Sequence, residues 1–345
     1  MFFASDNSGP MHGQILGALA VANEGYAMAY GADHLMDNVR TKIREIFEAP
    51  DAAVYLVATG TAANSLALAT LGQPWQTIFC SSVAHIHEDE CNAPEFYTGG
   101  SKLTLVGEGD KMKPEALRAS IKAEETRGVH GPQRGPVSIT QVTERGTVYS
   151  LDELNALTAV AKEFDLPVHL DGARFANALV ALGCSPAEMT WKAGIDAVSF
   201  GGTKNGLMGV EAVIFFDPSH AWEFELRRKR GAHLFSKHRF LSAQMDAYLT
   251  KGLWLDSARK ANANCARLVT GLRAAGAELV HEPHANMVFA AFPRAKHQKL
   301  FDAGAVYHLW GGSLEGDDAD EMLPARFVCD WWITAEEIDR FLALI

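Results

Sequence analysis

The chain has few of the features that mark secreted or membrane-spanning proteins. It has only five cysteines among 345 residues, an odd number without metal-type spacing, which favours free thiols in a reducing compartment. It lacks an apolar run long enough to span a bilayer, and its first residues lack the basic start and apolar core of a signal peptide. We therefore expect a cytoplasmic protein that makes no contact with a membrane.

Positive charge is scarce as well. The 31 basic and 42 acidic residues give a net charge of −11, and the densest basic run, residues 227–230, has four members. Such a balance argues against a nucleic-acid partner. The hydrophobic content of 48% and the charged content of 21% are typical of a soluble globular protein, and the length predicts two domains.

Strand and helix patterns alternate through the first two thirds of the chain. Short β-prone runs are predicted to be strands at 53–57, 77–80, 103–106, 137–142, 168–170, 197–200 and 212–216. Helical patterns occupy the segments 39–47, 62–71, 113–125, 151–164 and 175–183. This alternation predicts an α/β fold with a mostly parallel central sheet and helices on both faces. The polar segment 127–135 is predicted to be a surface loop.

The last third has a different pattern. A helical stretch over 240–275 is interrupted near Gly252. Short strands are then predicted at 287–292, 305–309 and 326–331, before a closing helix over 334–344. We expect a large domain over residues 1–245, including the N-terminal segment, and a smaller C-terminal α+β domain over 246–345.

A lysine and an aspartate follow neighbouring predicted strands. Lys204 lies in the glycine-rich segment 199–206, and Asp171 ends the strand before it. The carboxyl ends of parallel strands meet at one edge of a sheet, so these two residues and Gly60 are expected to share a crevice. An amine for an aldehyde and a carboxylate for a ring nitrogen are what pyridoxal 5′-phosphate (PLP) chemistry requires. The alternatives are a solvated loop lysine and a strand-end aspartate that caps a turn.

A series of motifs in fixed order strengthens the PLP interpretation. They are Ser5-Asp6-Asn7, the segments 29–33 and 58–64, Ala84-His85, Glu90, the segment 169–174, Asn177-Ala178, Lys204, Asn286-Met287 and Arg326. Together they resemble the low-specificity L-threonine aldolase family, in the β-eliminating lyase group of the fold-type-I PLP enzymes. No G-x-G-x-x-G follows the first strand, which disfavours a dinucleotide-binding dehydrogenase.

The resemblance implies a role for each motif around the cofactor. Lys204 forms the Schiff base with PLP, Asp171 pairs with the pyridine nitrogen, and His85 stacks on the ring. Gly60 and Thr61 begin a helix whose free N–H groups suit a phosphate. Lys229 falls where the family has a phosphate-directed lysine from a neighbouring subunit. Lys237 is a second candidate for that role.

The substrate side of the site is implied in the same way. Arg174 and Arg326 are candidates for the substrate carboxylate, because a guanidinium can bind it with two hydrogen bonds. Ser5 adds a hydrogen bond, and Tyr30 crosses the subunit interface. Glu90, or the nearby Asp89, positions a water or a proton. His85 and His87 would face opposite sides if extended, so no metal site is expected there and His87 is interpreted as structural.

One position departs from the family pattern. Some members have a histidine after the threonine that precedes Gly146, where this chain has Thr143-Glu144. A carboxylate is a weaker base than a histidine unless its pKa is raised. We therefore expect deprotonation of a substrate hydroxyl to fall to His85, or to a water held by Glu90 or Asp89.

These features lead to one expected function and two alternatives. The expected reaction is cleavage of L-threonine, L-allo-threonine and related L-3-hydroxy-2-amino acids, phenylserine among them, to glycine and an aldehyde. Another PLP reaction, β-elimination or transamination, is possible on the same scaffold. A non-catalytic phosphate-binding protein would share Gly60-Thr61 but would have no use for Lys204. The resemblance also implies a homo-oligomer, typically a homotetramer whose sites are shared between subunits.

Overall fold

A computed structural model describes residues 1–345 as two layered units. Fourteen α-helices are present: α1 (Gly13–Ala22), α2 (His34–Ile46), α3 (Gly60–Leu71), α4 (His85–Glu88), α5 (Ala93–Thr98), α6 (Pro114–Ala123), α7 (Leu151–Lys162), α8 (Phe175–Leu182), α9 (Pro186–Met189), α10 (Ala221–Arg230), α11 (Arg239–Leu249), α12 (Leu253–Ala274), α13 (Arg294–Asp302) and α14 (Ala335–Leu342). None of them is both long enough and apolar enough to cross a membrane.

Seven strands form the large central sheet. They are β1 (Ala53–Val57), β2 (Gln76–Ser81), β3 (Lys102–Val106), β4 (Gln133–Thr140), β5 (Val168–Gly172), β6 (Ala197–Gly201) and β7 (Glu211–Phe215), in the spatial order β1-β7-β6-β5-β4-β2-β3. Only β7 runs antiparallel to its neighbours. Apolar side chains dominate these strands, because helices cover both faces of the sheet. The predicted α/β class with a mostly parallel sheet is confirmed.

The segment predicted as a surface loop is partly a strand. β4 begins at Gln133, which pairs with Gln76 of β2. Gly135 belongs to this strand, and a Cβ there would lie only 2.5 Å from the carbonyl oxygen of Thr77. The loop prediction was therefore wrong for residues 133–135, because the glycine permits a close approach between strands and does not mark a turn.

Helix boundaries follow local chemistry. The side chain of Ser150 accepts a hydrogen bond from Glu153 at the start of α7, and Thr334 does the same with Glu337 at α14. The predicted interruption near Gly252 separates α11 from α12. Lys251 and Gly252 both have positive φ there, at 52° and 77°, which no α-helix accommodates.

The smaller unit has a four-stranded antiparallel sheet, packed against α12, α13 and α14. Its strands are β8 (Glu278–Leu279), β9 (Met287–Pro293), β10 (His308–Leu309) and β11 (Met322–Val328), in the order β10-β11-β9-β8. The last strand was predicted at 326–331 and begins four residues earlier. Phe3, from the N-terminal segment, is fully buried in the core of this unit. The N-terminal segment therefore reaches the small unit, where Phe2 pairs with Val306.

Candidate active site

A cleft lies at the carboxyl edge of the large sheet, where parallel strands end. Asp171 lies in β5, and Lys204 lies in a short turn (Thr203–Asn205) that follows β6. Gly60 begins α3 after β1, and His85 begins α4 after β2. Because these elements leave the sheet at one edge, residues that are distant in sequence meet there. The lining includes Gly60, Asn64, His85, Glu90, Glu144, Asp171, Arg174 and Lys204.

Lys204 is held in the cleft by its own turn. The Gly202 N–H donates to the Glu211 carboxylate at 2.7 Å, and the Val210 N–H donates to the Thr203 hydroxyl at 3.2 Å. Burial, and then the nearby charge of Arg174, lower the pKa of Lys204. A lysine in this environment presents its neutral amine more readily than a solvated one, as attack on a carbonyl carbon requires.

The carboxylate of Asp171 is fixed through both oxygens. The Ala173 N–H donates to Oδ1 at 3.0 Å, and Nδ2 of Asn64 donates to Oδ2 at 2.8 Å. Asp171 is only 3% exposed. Its orientation is therefore set before any ligand enters.

His169 fixes the strand that carries Asp171. Its Nδ1 lies 3.0 Å from the hydroxyl of Ser138 in β4, and its Nε2 lies 2.9 Å from the hydroxyl of Ser199 in β6. Burial lowers the pKa of His169 to about 4, so the ring is neutral near pH 7. The neutral imidazole joins three neighbouring strands next to the cleft.

Asn64 connects Asp171 to a second acidic group. The same Nδ2 that binds Asp171 also donates to Oε1 of Glu90 at 2.9 Å, and that oxygen lies 2.9 Å from Nδ1 of His85. Burial raises the pKa of Glu90, and the hydrogen bond to Glu90 raises the pKa of His85. Both changes favour retention of one proton in the His85–Glu90 pair.

Arg174 is paired within the chain. Its Nε and Nη2 donate to the two oxygens of Asp6 at 2.7 and 2.9 Å, and Asn286 donates to Asp6 at 3.1 Å. Burial raises the pKa of Asp6, but the charge and hydrogen bonds of Arg174 outweigh it and hold that pKa below its ordinary value. The guanidinium was expected to be free for a substrate, yet Nη1 is the only terminal nitrogen that Asp6 does not use.

Ser5 lies in the N-terminal segment beside Asp6, and Arg326 of β11 contacts the same segment. Nη2 of Arg326 donates to the carbonyl of Ala4 at 3.3 Å, and its buried Nε has no partner. Burial, and then repulsion by Arg174, lower the pKa of Arg326. Ser5 accepts a hydrogen bond from the Asn7 N–H at 3.1 Å. The two arginines predicted to face a carboxylate therefore lie near each other.

Several predicted residues lie outside the cleft of a single chain. Nζ of Lys229 lies 5.0 Å from the ring centroid of Tyr30, and both side chains are exposed, as is that of Lys237. His87 and Asp89 are exposed too. Residues 85–88 form the short helix α4, so the expectation that His85 and His87 would face opposite sides if extended does not apply.

The residues that connect the expected ones are not predicted from the sequence. Asn64 and Asp6 were noticed only as members of motifs, without a role. A signal exists for Asn64, because it interrupts the otherwise largely apolar helix α3 on a buried face. For Asp6 there is none, since its partners Arg174 and Asn286 lie far along the chain.

The residues present fit PLP. The cleft combines an amine, a fixed carboxylate, an imidazole and the N-terminus of α3, with Thr59 capping that helix through the Ala62 N–H. Buried polar atoms in and beside the cleft also lack partners, namely Oδ1 of Asn64, Oε2 of Glu90, Oε2 of Glu144 and Nε of Arg326. Unpaired buried polar atoms are rare in folded proteins, and their concentration here points to a polar ligand.

Comparison with known proteins agrees with this chemistry. Residues 3–294 match the family model described as beta-eliminating lyase. A low specificity L-threonine aldolase of a Pseudomonas species is 43% identical over 333 residues, covering 95% of this chain and 92% of that protein. Its counterpart in Pseudomonas aeruginosa is 42% identical over 340 residues, covering 97% and 94%.

A solved structure gives the same result for the fold. The threonine aldolase of Leishmania major superposes with a TM-score of 0.92 at 26% sequence identity, and the match covers 99% of this chain and 98% of that one. The similarity therefore includes both the large sheet and the smaller unit.

Proposed function

The chain belongs to the β-eliminating lyase family, and on that basis we propose that it is a PLP-dependent L-threonine aldolase of low specificity. It cleaves L-threonine, L-allo-threonine and related L-3-hydroxy-2-amino acids, phenylserine among them, to glycine and an aldehyde. The observation that carries this conclusion is the cleft in which Lys204, Asp171 and Arg174 meet.

Lys204 and Asp171 hold the reactive part of the cofactor. When bound, PLP supplies an electron sink that stabilises negative charge at the α-carbon of an amino acid. Lys204 provides the amine that binds its aldehyde. Asp171, fixed by Asn64 and Ala173, provides the negative charge that keeps a pyridine nitrogen protonated. His85, oriented by Glu90, would stack on the ring.

Arg174 and Arg326 orient the amino acid through its carboxylate, with Ser5 contributing a hydrogen bond. Burial, and then repulsion by the neighbouring guanidinium of Arg174, lower the pKa of Arg326. A carboxylate placed between them relieves the repulsion, and the unpaired Nε of Arg326 gains an acceptor. Fixing the carboxylate also fixes which bond of the α-carbon is broken.

Gly60 and Thr61 receive the phosphate at the start of α3, assisted by Lys229 and Lys237 from a neighbouring subunit. We propose a cytoplasmic homotetramer in which Tyr30 also crosses the interface. The exposure of the large apolar side chains of Tyr26, Met28 and Tyr30 supports an interface here. The division into domains 1–245 and 246–345 belongs to the same proposal.

Borohydride reduction of the PLP-loaded protein tests the cofactor assignment. We expect a pyridoxyl group on Lys204 by peptide mass mapping, and none after Lys204→Ala. An unmodified Lys204 in a fully loaded sample would contradict the assignment.

Substrate assays then test the reaction. We expect L-threonine and phenylserine to yield glycine and an aldehyde. Pyruvate release from serine would indicate β-elimination, and keto-acid exchange would indicate transamination. Either result without aldehyde formation would overturn the aldolase function. Light scattering tests the tetramer.

A further inference from the structure

Glu144 occupies the position that departs from the family pattern. It lines the same cleft as Lys204 and Arg174, just beyond the end of β4. Its Oε1 accepts a hydrogen bond from the His85 N–H at 2.7 Å. Its Oε2 is buried and has no hydrogen-bond partner. One oxygen therefore has a structural role, and the other is left available to a ligand.

The groups around this carboxyl come from several elements. Asp171 of β5 is the nearby negative charge, and Arg174 is a nearby positive charge. Burial raises the pKa values of Cys80 of β2 and of Tyr149, and the nearby charge of Glu144 raises them further, so both groups are neutral near pH 7. The His85 N–H and the Thr140 hydroxyl favour the ionised carboxyl.

Burial outweighs these favourable contacts. Together with the charge of Asp171, it raises the pKa of Glu144 to about 7. The carboxyl therefore exists in both protonation states near neutral pH, where an ordinary glutamate is ionised. This removes the objection that a carboxylate here is too weak a base.

We propose that Glu144 is a catalytic residue that exchanges a proton, through Oε2, with a hydroxyl group of the ligand bound in the cleft. The proposal rests on the function proposed above, because that function brings hydroxyl groups into the cleft. It deepens that function by naming the proton acceptor.

The proposed function brings two hydroxyl groups into the cleft. One is the 3-hydroxyl of PLP, and the other is the β-hydroxyl of the amino acid. In the second case Glu144 takes the hydroxyl proton, the O–H electron pair forms the carbonyl of the aldehyde, and the Cα–Cβ pair remains on the α-carbon. That carbon takes one proton from solvent to become glycine, and Glu144 releases the hydroxyl proton to solvent, so no net proton is gained or lost in one turnover.

The first experiment uses the wild-type protein without cofactor. Infrared difference spectra over a pH titration, compared with those of Glu144→Gln, should contain one carboxyl signal with a midpoint near 7 that the variant lacks. The amide keeps an acceptor for the His85 N–H but cannot ionise. A wild-type spectrum without that signal overturns the proposal, whatever the variant does.

The second experiment separates the two hydroxyl groups in the loaded enzyme. If PLP is the partner, Glu144→Gln shifts the pH midpoint of the cofactor absorbance in the absence of substrate. If the amino acid is the partner, that midpoint is unchanged, whereas kcat for L-threonine falls by about 100-fold or more and loses its inflection near neutral pH. Glu144→His should restore much of either property.

Asp196→Asn is the matched control. The Asp196 carboxylate also accepts a backbone N–H at 2.7 Å, from Val168, and burial raises its pKa, but it lies at the opposite edge of the sheet. We expect it to change neither titration. If the wild type cleaves L-threonine and Glu144→Gln changes neither the pH dependence of the cofactor absorbance nor that of kcat, this proposal alone is overturned. If the wild type binds no PLP, the proposed function is overturned as well.

Discussion

Arg174 donates two hydrogen bonds to Asp6, a residue 168 positions earlier in the chain. The side chain of Asp6 is 1% exposed and that of Arg174 is 14% exposed, so this ion pair is shielded from solvent. Buried pairs of this kind cost little while intact but leave an uncompensated charge when one partner is removed. The N-terminal segment therefore fixes the arginine that we assign to the substrate carboxylate.

Replacing Asp6 tests this relationship. Asp6→Ala should lower the free energy of unfolding by about 3–5 kcal/mol, because it leaves the Arg174 charge buried and unpaired. Urea denaturation of the cofactor-free protein measures the effect. Asp339→Ala is the control, since Arg267 binds Asp339 in the same two-bond geometry on the surface, and its loss should cost no more than about 1 kcal/mol. Equal losses in the two variants would contradict a buried role for Asp6.

The Asn64 amide is predicted to affect kcat through its hydrogen bonds to Asp171 and Glu90. Asn64→Ala leaves Asp171 and Glu90 without a shared donor, at a cost of about 1–3 kcal/mol, so kcat should fall by about 5–150-fold. The pH dependence of the cofactor absorbance should shift as well, because Asp171 loses a hydrogen bond. Asn264→Ala removes two similar hydrogen bonds, which the Asn264 side-chain amide donates to the carbonyls of Asp330 and Ile333. This variant should lose stability while kcat is retained.

Gly201 is predicted to tolerate no side chain. A Cβ at this position would overlap the carbonyl group of Ala173 and lie 2.8 Å from the Gly172 oxygen. Gly201→Ala should therefore separate the end of β5 from the turn that holds Lys204, with a loss of at least about 1–3 kcal/mol and weaker PLP binding. Thermal unfolding and a PLP titration measure the two effects. Gly17→Ala, where a Cβ meets nothing within 4 Å, should leave PLP binding unchanged and should not lower stability, because alanine favours the interior of helix α1 over glycine.

In the absence of cofactor, the titration of Glu144 is predicted to make the free energy of unfolding depend on pH. A carboxyl whose pKa is raised from 4.5 to about 7 favours the folded state below pH 4.5, and this contribution is lost as the pH rises to about 7. Relative to wild type, Glu144→Gln should therefore gain stability between these pH values, by at most about 3 kcal/mol at 1.36 kcal/mol per pKa unit. Parallel urea curves over that range measure the gain. A constant difference between the two proteins would mean that Glu144 does not titrate there.

The sequence predicts the frame of the site because its main residues follow regular elements. Lys204 and Asp171 each come directly after, or at the end of, a buried strand, so the parallel topology alone brings them to one edge. The start of the strand that contains Arg326 was predicted four residues too late, because Pro324 and the charged residues before it are untypical of a strand. Arg326 itself lies in the strand in both the prediction and the structure.

The connections between these residues could not be predicted in the same way. The bonds from Asn64 to Asp171 and from Arg174 to Asp6 join segments more than 100 positions apart, and no local pattern encodes them. Gly135 was misread for a related reason, because its neighbour in space is Thr77 in another strand. The raised pKa of Glu144 likewise depends on burial by the complete fold.

The attachment of the N-terminal segment has a consequence for synthesis on the ribosome. Asp6 is held by Asn286, 280 positions later, and Arg326 binds Ala4 from 322 positions later. Asp6 can meet Arg174 once α8 has emerged from the exit tunnel, but Ala4 and Asp6 gain these later partners only when residues 286 and 326 follow. A nascent chain can form the central sheet earlier, but these contacts beside the cleft are completed only when residues 286 and 326 have emerged.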